Sequence, residues 1–494
     1  MSETAAAPRG TGVVAVLAAA GIVVALMQTL VVPVIPELPK LLHTSAANAS
    51  WTITATLLAG AVATPVLGRL GDMYGKRRML LVSLAVLVVG SVVCAVSSAL
   101  APIVVGRALQ GCAAGVIPLG ISIMRDELPA ERLGSAMALM SSSLGVGGAL
   151  GLPTAAAIAE HADWHVLFWV SAGLGAVVLA LVLLLVPESA RRSGGRFDLV
   201  GAAGLSVALV CLLLAVSKGS DWGWTGGTTL GLFATAVLVL PAWAWWELRT
   251  AQPLVDLRVS VRRQVLLTNL ASVVVGFSMY AMSLVLPQLL EMPRATGYGL
   301  GQSMLMAGLV MGPSGLVMMA VSPLAAKVSA KAGPKVSLLV GGAVIACGYG
   351  LGIALMSAAW QLLLVSVVIG TGIAFAYASM PALIMSAVPV TETAAANGLN
   401  TLMRSIGTST SSAVVGVVLS HLTTSFGPYQ LPSQDGFRTA LALGCGAAVL
   451  AVLVTALIPG RGRTAAPVPA QAAAPADAPV GRVSGAGRGG DREH

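Results

Sequence analysis

Two arginines, Arg107 and Arg404, lie inside long apolar stretches of the sequence. At a helical rise of 1.5 Å per residue, Arg107 lies roughly 8 Å and Arg404 roughly 12 Å from the end of its stretch. A charge at such a depth in a membrane is costly, so each arginine is expected to face a cavity or a polar partner. The alternative is a guanidinium satisfied by carbonyl groups between packed helices.

Polar neighbours accompany both arginines. Gln110 and Gly111 follow Arg107 within about one helical turn, and Asn400 and Asn397 precede Arg404 by about one and two turns. The same spacing would place each set on one side of its helix. We predict that these residues line a cavity.

A second candidate site is the segment from Gly68 to Arg78, GRLGDMYGKRR, between two apolar stretches. Its glycines, Gly68, Gly71 and Gly75, allow tight turning and close helix approach. The carboxylate of Asp72 can meet a helix N-terminus or a basic neighbour, and the basic neighbours are Lys76, Arg77 and Arg78. We predict a gating latch; the alternative is a basic loop that only fixes orientation in the membrane.

Small residues are concentrated in a third segment, which contains Gly145, Gly147, Gly148, Gly151 and Pro153. Small side chains let transmembrane helices approach closely, so a packing face is expected here. In the first apolar stretch, Met27 and Gln28 fall near the level of Arg107. We consider both as candidates for the substrate cavity, with bridging between helices as the alternative for Gln28.

The elements that must position these residues are transmembrane helices. Of 494 residues, 56% are hydrophobic and 10% are charged, a composition that excludes a water-soluble globule of this size. Stretches of about twenty apolar residues can cross the membrane. We predict fourteen of them, near residues 13–36, 51–70, 79–98, 102–124, 134–158, 164–186, 197–217, 228–247, 265–290, 301–324, 336–357, 360–386, 396–421 and 437–458.

The basic residues predict the orientation. With fourteen spans, 22 of the 28 Lys and Arg residues fall in alternate loops and the two tails, and four fall in the opposite loops. Because Lys and Arg accumulate in cytoplasmic loops, both termini are predicted to be cytoplasmic. The net charge of +9 therefore needs no nucleic-acid partner.

Two weak internal repeats predict the domain organisation. Residues 129–145 resemble residues 389–407, and residues 68–78 resemble residues 322–335. We therefore predict a cytoplasmic N-terminus (1–12), an N-terminal six-helix half (13–186), two inserted helices (197–247), a C-terminal six-helix half (265–458) and a disordered cytoplasmic tail (459–494).

Together these motifs resemble the major facilitator superfamily. The segment from Gly68 to Arg78 is similar to its signature loop, and the run from Arg107 to Gly111 is similar to the R-x-x-Q-G motif of its proton-coupled members, which implies proton transfer near Arg107. The inserted pair, with Phe197-Asp198 and Glu247, resembles the fourteen-helix drug:proton antiporter branch. The resemblance implies a secondary transporter in the cell membrane that exports small hydrophobic compounds, drugs or secondary metabolites, by alternating access.

Two departures from that branch change the expectation. Met27 stands where the branch carries an aspartate in its first helix. The segment from Gly145 to Pro153 resembles the exporter-specific motif of the fifth helix, but its proline is shifted and the final glycines of the motif are missing. We expect a cavity suited to neutral or anionic compounds rather than cations. An importer of the same fold and a membrane receptor or scaffold without transport stay open as alternatives.

No enzyme centre or cofactor site is expected. The phosphate-binding loop and the hydrolase motifs are absent, and the pair His161 and His165 beside Asp163 is read as a solvated loop rather than a metal site. The expected partners are a small-molecule substrate, protons and the lipid bilayer, with the chain acting as a monomer.

Overall fold

The computed structural model describes residues 7–31, 34, 38–188, 192–426 and 429–459. Within them, fourteen helices are long and apolar enough to cross a membrane, which confirms the predicted number. The helices are α1 (Ala7–Thr29), α2 (Trp51–Tyr74), α3 (Lys76–Ala95), α4 (Leu100–Glu127), α5 (Ala130–His161), α6 (His165–Leu185), α7 (Leu199–Trp222), α8 (Gly227–Arg249), α9 (Arg263–Glu291), α10 (Met304–Ala332), α11 (Pro334–Ala354), α12 (Ala359–Met385), α13 (Thr393–His421) and α14 (Gln434–Ala456).

Some boundaries differ from the prediction. Helix α1 begins at Ala7 and ends at Thr29, so it starts earlier and ends earlier than the predicted span 13–36. Two short helices, Leu38–Leu41 and Ala46–Ala49, then lead to α2, and a 3-10 turn at Cys112–Gly115 divides α4. The predicted N-terminal tail lies partly, and the C-terminal tail beyond residue 459 entirely, outside the described residues.

Two further elements join the long helices and were not predicted. Strands Thr423–Phe426 and Tyr429–Pro432 form an antiparallel pair between α13 and α14. The short helix Leu257–Ser260 precedes α9. The carboxylate of Asp256 accepts hydrogen bonds from the backbone N–H groups of Arg258 and Val259 in this short helix. Such local elements depend on hydrogen bonds of a few residues, which a pattern of apolar spans does not reveal.

The long helices form two groups of six that meet along two lines of contact. In the first group α1 packs on α5, α2 on α4, and α3 on α4 and α6; in the second, α9 packs on α13 and α14, α10 on α12, and α11 on α12 and α14. The groups touch most extensively where α2 meets α13 and where α5 meets α10, called here the α2–α13 seam and the α5–α10 seam; α4 contacts α13 beside the first seam, and α12 contacts α5 beside the second. Residues from both groups can therefore share one site.

The inserted helices α7 and α8 pack on each other and cover the α2–α13 seam. Helix α7 contacts both α2 and α13, and an apolar cluster joins Ala61 of α2, Leu205 and Leu209 of α7 and Leu402 of α13. At the other end of α7, the buried Lys218 lies 5.4 Å from the ring of Trp51, at the start of α2. The inserted pair is thus attached to the six-helix bundle rather than separate from it.

One face of the bundle carries the connections α2–α3, α4–α5, α6–α7, α8–α9, α10–α11 and α12–α13. These connections hold most of the lysines and arginines in the loops, and this face is called the basic face. Side chains such as Leu184, Val237 and Leu238 are largely exposed on the outside of the bundle. Exposed apolar side chains of this kind are suited to contact with lipid, and the protein is a multi-pass membrane protein.

Candidate functional site

Asp72 joins the two groups of helices on the basic face. Its side chain is 1% exposed, and its two oxygens accept hydrogen bonds from the backbone N–H of Ala395, at 2.9 Å, and of Ala394, at 3.3 Å. Helix α13 begins at Thr393, so these are N–H groups of its first turn, which have no partner within the helix. The carboxylate of α2 therefore caps α13, where the helix dipole favours a negative charge.

Lys76 connects Asp72 to α4. Its side chain is fully buried, and its Nζ lies 2.6 Å from Oδ2 of Asp126 and 3.9 Å from Oδ1 of Asp72. A buried lysine requires such partners, because an unpaired charge away from water is costly. The chain of contacts runs from Asp126 of α4 through Lys76 of α3 and Asp72 of α2 to the start of α13.

The glycines of this segment permit the close approach. A Cβ atom on Gly68 would lie 2.7 Å from the carbonyl oxygen of Ala394, so only glycine lets α2 touch α13 here. Gly75 has a φ of 120°, a left-handed conformation that favours glycine, and a Cβ on it would meet the carboxylate of Glu188. A Cβ on Gly71 would meet Leu119 of α4.

Arg77 and Arg78 do not take part in this contact. Arg77 donates a hydrogen bond of 2.6 Å to the carbonyl oxygen of Leu183 at the end of α6, and Arg78 is exposed. The predicted segment thus divides into residues that join the two groups and residues that face α6 or solvent.

Arg125 is a second link across the basic face, which the sequence analysis did not single out. At the end of α4, it donates to Oγ1 of Thr393, at 2.5 Å, and to the carbonyl oxygen of Met385, at 2.9 Å. These acceptors lie at the start of α13 and the end of α12. An arginine near the end of an apolar span is common in any membrane protein, so its sequence position carried no signal.

Arg107 lies inside the first group, between α1, α2 and α4. It is 2% exposed and donates to the carbonyl oxygen of Thr52 at 3.1 Å and to Oε1 of Gln110 at 2.7 Å. Its Nη1 lies 3.7 Å from the sulfur of Met27. Among the described residues no carboxylate pairs with it, and its surroundings are those of the carbonyl-satisfied arginine that the sequence left open as an alternative.

Gln110 and Gly111 extend this network. Nε2 of Gln110 donates to Oγ of Ser91 in α3 at 2.8 Å. A Cβ on Gly111 would collide with the backbone of Thr56, whose hydroxyl donates to the carbonyl oxygen of Arg107 at 3.0 Å. The structure therefore brings Arg107, Gln110 and Gly111 together in one cluster. Gln28 is half-buried on α1.

Arg404 faces a narrow cavity between the two groups. The cavity measures about 10 Å³, close to the space that one water molecule needs, and is lined by Ile117, Ile121, Ser141, Leu144, Pro381, Asn397, Asn400, Thr401 and Arg404. The guanidinium of Arg404 lies 4.6 Å from the ring centre of Tyr377. In this state the cavity is too small for a drug-sized compound.

The asparagines beside Arg404 are held by hydrogen bonds. Asn400 donates to Oδ1 of Asn269 at 2.9 Å and to Oγ of Ser272 at 2.7 Å, both on α9. Asn397 donates to the carbonyl oxygen of Thr393 at 2.9 Å. Arg404, Asn397 and Asn400 thus share one site, whereas Met27 belongs to the surroundings of Arg107.

The glycines of α5 contact two different helices. A Cβ on Gly145 would collide with Met318 of α10, and a Cβ on Gly147 or on Gly151 would collide with α1. A Cβ on Gly148 would meet nothing within 4 Å, so Gly148 takes no part in packing, and Pro153 lies inside the helix without ending it. The small residues of α5 thus allow close approach both within the first group and across to α10.

The histidine pair on the opposite face does not form a metal cluster in the described part of the chain. Nδ1 of His165 lies 2.5 Å from Oδ1 of Asp163. The backbone N–H and the ring of His165 hold the pKa of the Asp163 carboxyl below its usual range. His161 contacts the carbonyl oxygen of Ala157 in its own helix. No group of three metal-binding side chains occurs among the described residues.

Comparison with known proteins places this arrangement among transporters. A sequence model of the Major Facilitator Superfamily matches residues 17–412. The chain is similar to the multidrug resistance protein Stp of Mycobacterium tuberculosis (strain CDC 1551 / Oshkosh), with 27% identity over 403 residues that cover 81% of this chain and 74% of that one. It is also similar to the tetracenomycin C resistance and export protein of Streptomyces glaucescens, with 29% identity over 455 residues, or 89% and 82% of the two chains.

Solved structures share the fold. The human organic anion transporter MFSD10 superimposes with a TM-score of 0.65 and 16% identity, covering 91% of this chain and all of that one. The proton:xylose symporter XylE gives a TM-score of 0.62 and 14% identity over 92% and 97% of the chains. At these identities the likeness concerns the fold alone.

Proposed function

The chain belongs to the major facilitator superfamily, and we propose that it exports small, largely apolar compounds across the cytoplasmic membrane by alternating access. The superfamily consists of transporters, and two of the relatives are named a multidrug resistance protein and a tetracenomycin C resistance and export protein. The single observation that carries the proposal is the contact of Asp72 with the first turn of α13. It joins the two six-helix groups directly on one face of the bundle.

We place the basic face in the cytoplasm. The distribution of Lys and Arg between the two sets of loops supports this orientation. The described state is then closed towards the cytoplasm, with the narrow cavity around Arg404 above the closure. For a substrate to enter from the cytoplasm, the contacts of Asp72 and Arg125 with α12 and α13 must break.

The closure has a strength suited to a gate. Hydrogen bonds to charged groups contribute about 1.5–3 kcal/mol each, and the same groups are well solvated when the face opens. A few such bonds hold a state without making it permanent. The residues Gly68, Gly71, Asp72, Gly75 and Lys76 therefore form the proposed latch, with Arg125 as its second contact.

We propose that export is coupled to proton influx. The resemblance of the Arg107 cluster to proton-coupled transporters supports this, and the coupling cannot use a carboxylate at position 27, where Met27 stands. Arg404 lines the cavity and Arg107 lies in the first group, and among the described residues neither has a carboxylate within ion-pair distance, so their positive charges favour neutral or anionic compounds. Efflux of quaternary ammonium dyes by the purified protein would contradict that preference.

The test is the accumulation of a hydrophobic compound in a pump-deficient bacterial strain that expresses the protein. Wild type is compared with Arg107→Ala, each with and without a protonophore. Arg438→Ala is the matched control, since Arg438 is an exposed arginine of the opposite face that only approaches Asp435, at 3.7 Å. We expect low accumulation in the wild type and the control, and high accumulation with Arg107→Ala or with the protonophore.

Two further results would change the proposal. Equal accumulation in all strains, with the protein present in the membrane, would reject export of the compounds tested. Uptake into cells rather than loss from them would favour the importer, and transport in inside-out vesicles distinguishes the two directions.

In a Met27→Asp variant, a new carboxylate beside Arg107 is expected to shift the pH dependence of transport and to improve efflux of cationic dyes.

A further inference from the structure

A second cavity lies on the basic face, outside the α2–α13 seam. It measures about 320 Å³, within the range of small-molecule sites. Its walls come from α2, from the start of α13 and from the two connections that flank the inserted helices, residues 192–194 and 251–260. It is thus built from both six-helix groups and from both linkers of the inserted pair.

Arg69 is the buried charge of this cavity. Its side chain lies in the cavity wall, the residue is 8% exposed, and it makes no hydrogen bond or ion pair within the described ranges. The carboxylates of Asp72 and Glu392 attract its charge, but neither accepts a hydrogen bond from it in the described ranges. A guanidinium has five N–H donors and is always charged, so a buried one without hydrogen-bond partners is costly. An anion in the cavity would remove this cost.

The rim adds positive charge. Arg192 and Arg258 also line the cavity and are exposed, and Arg258 donates one of its hydrogen bonds to the carbonyl oxygen of Leu248 at 2.6 Å. Two carboxylates, those of Asp256 and Glu392, lie there as well, and Asp256 is already engaged by the N–H groups of the following turn. The cavity lining thus contains three arginines and two carboxylates. Its net charge is positive, and the carboxylate of Glu392 is the group that would repel an anion.

We propose that this cavity binds a phosphate group and that binding holds the basic face closed. Several arginines around one site match the geometry of phosphate oxygens, each of which accepts charge-assisted hydrogen bonds. The phosphate can belong to a soluble metabolite or to the headgroup of an anionic lipid.

The link to the gate follows from the position of the walls. Arg69 lies three residues before Asp72, and Glu392 and Ala395 of the opposite wall flank Ala394, which Asp72 binds. Opening the latch would separate the two walls and dismantle the site. A ligand that binds only the closed state shifts the equilibrium towards it. This part rests on the proposed function, because it assumes that the basic face opens during transport.

Binding is tested first, on purified full-length protein in detergent and phosphate-free buffer. Inorganic phosphate and pyrophosphate are titrated by calorimetry into wild type, Arg69→Gln and Glu392→Gln, with Lys331→Gln as the control that removes an exposed charge elsewhere on the basic face. We expect Arg69→Gln to weaken binding about tenfold, equivalent to about 1.4 kcal/mol. Glu392→Gln should tighten it, and the control should leave it unchanged.

The proposal falls if the wild type binds neither anion, or if Arg69→Gln binds as tightly as the wild type. Should Arg69→Gln fail to give a monodisperse protein, Arg192→Gln at the exposed rim replaces it, with a smaller expected loss, and unchanged affinity there also rejects the site. Titrations in lipid nanodiscs distinguish a lipid headgroup from a soluble phosphate as the ligand of the cavity. If lipid headgroups fill the cavity, phosphatidylglycerol lowers the apparent affinity for phosphate relative to phosphatidylcholine; if soluble phosphates do, the affinity is the same in both.

Gate closure is tested by labelling Asn397→Cys in a chain whose native cysteines are replaced by serine. Asn397 is 2% exposed behind the latch, so a membrane-impermeant maleimide reaches it from the basic face only when that face opens. We expect phosphate to slow labelling in this chain and not when Arg69→Gln is added. Phosphate binding without slower labelling would reject the coupling to the gate. Because the titration needs no transport, failed export with intact binding would reject only the proposed function.

Discussion

The two seams that join the six-helix groups are built from different chemistry. At the basic face, the α2–α13 seam is held by charged side chains: Asp72 accepts from two N–H groups of α13, and Arg125 donates to Thr393. The α5–α10 seam is held by small residues, and a Cβ on Gly315 would collide with the carbonyl oxygen of Gly145. Its hydrogen bond across the groups is that of Ser322 with the carbonyl oxygen of Ala138, at 3.1 Å.

We relate this difference to the predicted internal repeat. Aligning residues 68–78 with residues 322–332 places Ala326 at the position of Asp72. Ala326 is buried in an apolar cluster with Ala138 and Phe375, where Asp72 has charged and polar partners. When the α2–α13 seam opens, its charged groups can form hydrogen bonds with water instead, because charges are well hydrated. The α5–α10 seam has packed apolar surfaces, which can only slide or separate. Within the proposed function, the α2–α13 seam (the polar seam) acts as the switch and the α5–α10 seam (the small-residue seam) as the support.

The largest expected effect is that of Asp72→Asn. The amide keeps the size of the side chain but loses the charge that α13 and Lys76 bind. We expect transport to fall by more than about tenfold, because a charge-assisted contact of about 1.5–3 kcal/mol is removed from the switch. Transport and membrane abundance are measured together, with Asp435→Asn on the exposed opposite face as control. Unchanged transport would remove the latch from the proposal.

The small-residue seam should respond in stability before it responds in transport. A methyl group at Gly315 collides with the α5 backbone, so Gly315→Ala must push α10 away from α5. Overpacking of this kind costs about 1–3 kcal/mol, and we expect a lower midpoint of thermal unfolding in detergent. Gly416→Ala is the matched control, since a Cβ there meets nothing within 4 Å. Equal midpoints for the two variants would mean that the seam adapts freely.

A smaller effect on transport is expected from Arg125→Gln. The variant weakens the second contact of the polar seam, with Thr393 and Met385, and leaves Asp72 in place. The basic face should open more readily, so an Asn397→Cys label should react several times faster from that face while transport falls less than with Asp72→Asn. Slower labelling would show that Arg125 favours the open state instead.

The arrangement of helices was predictable because each span must be long, apolar and flanked by charge in a regular order. The signature loop was recognisable because the pattern of Gly68, Asp72 and Gly75 resembles that of a known family, and because glycine and aspartate suit a tight, charged contact between helices. The partners of these residues were not predictable. That Asp72 caps α13 depends on a contact between residues 322 positions apart in the chain.

Other residues show where the signal was missing. Arg69 and Arg125 counted only as basic residues for orientation, and their burial against residues of α12, α13 and the linkers follows from packing. Gly148 has the same sequence context as Gly147, yet only Gly147 faces α1. A run of small residues indicates a packing face but does not say which members point towards the neighbour, because that depends on the rotation of the helix.

The smallest effect is expected from Ser322→Ala in the α5–α10 seam. The change removes one hydroxyl that donates to the carbonyl oxygens of Ala138 and of Met318. The first of these bonds crosses the groups, and a single neutral hydrogen bond between transmembrane helices is worth about 0.6 kcal/mol. We therefore expect a slight decrease in the unfolding midpoint and transport within the error of the wild type. A loss of transport comparable to that of Asp72→Asn would show that both seams act as switches, and the distinction between switch and support would have to be abandoned.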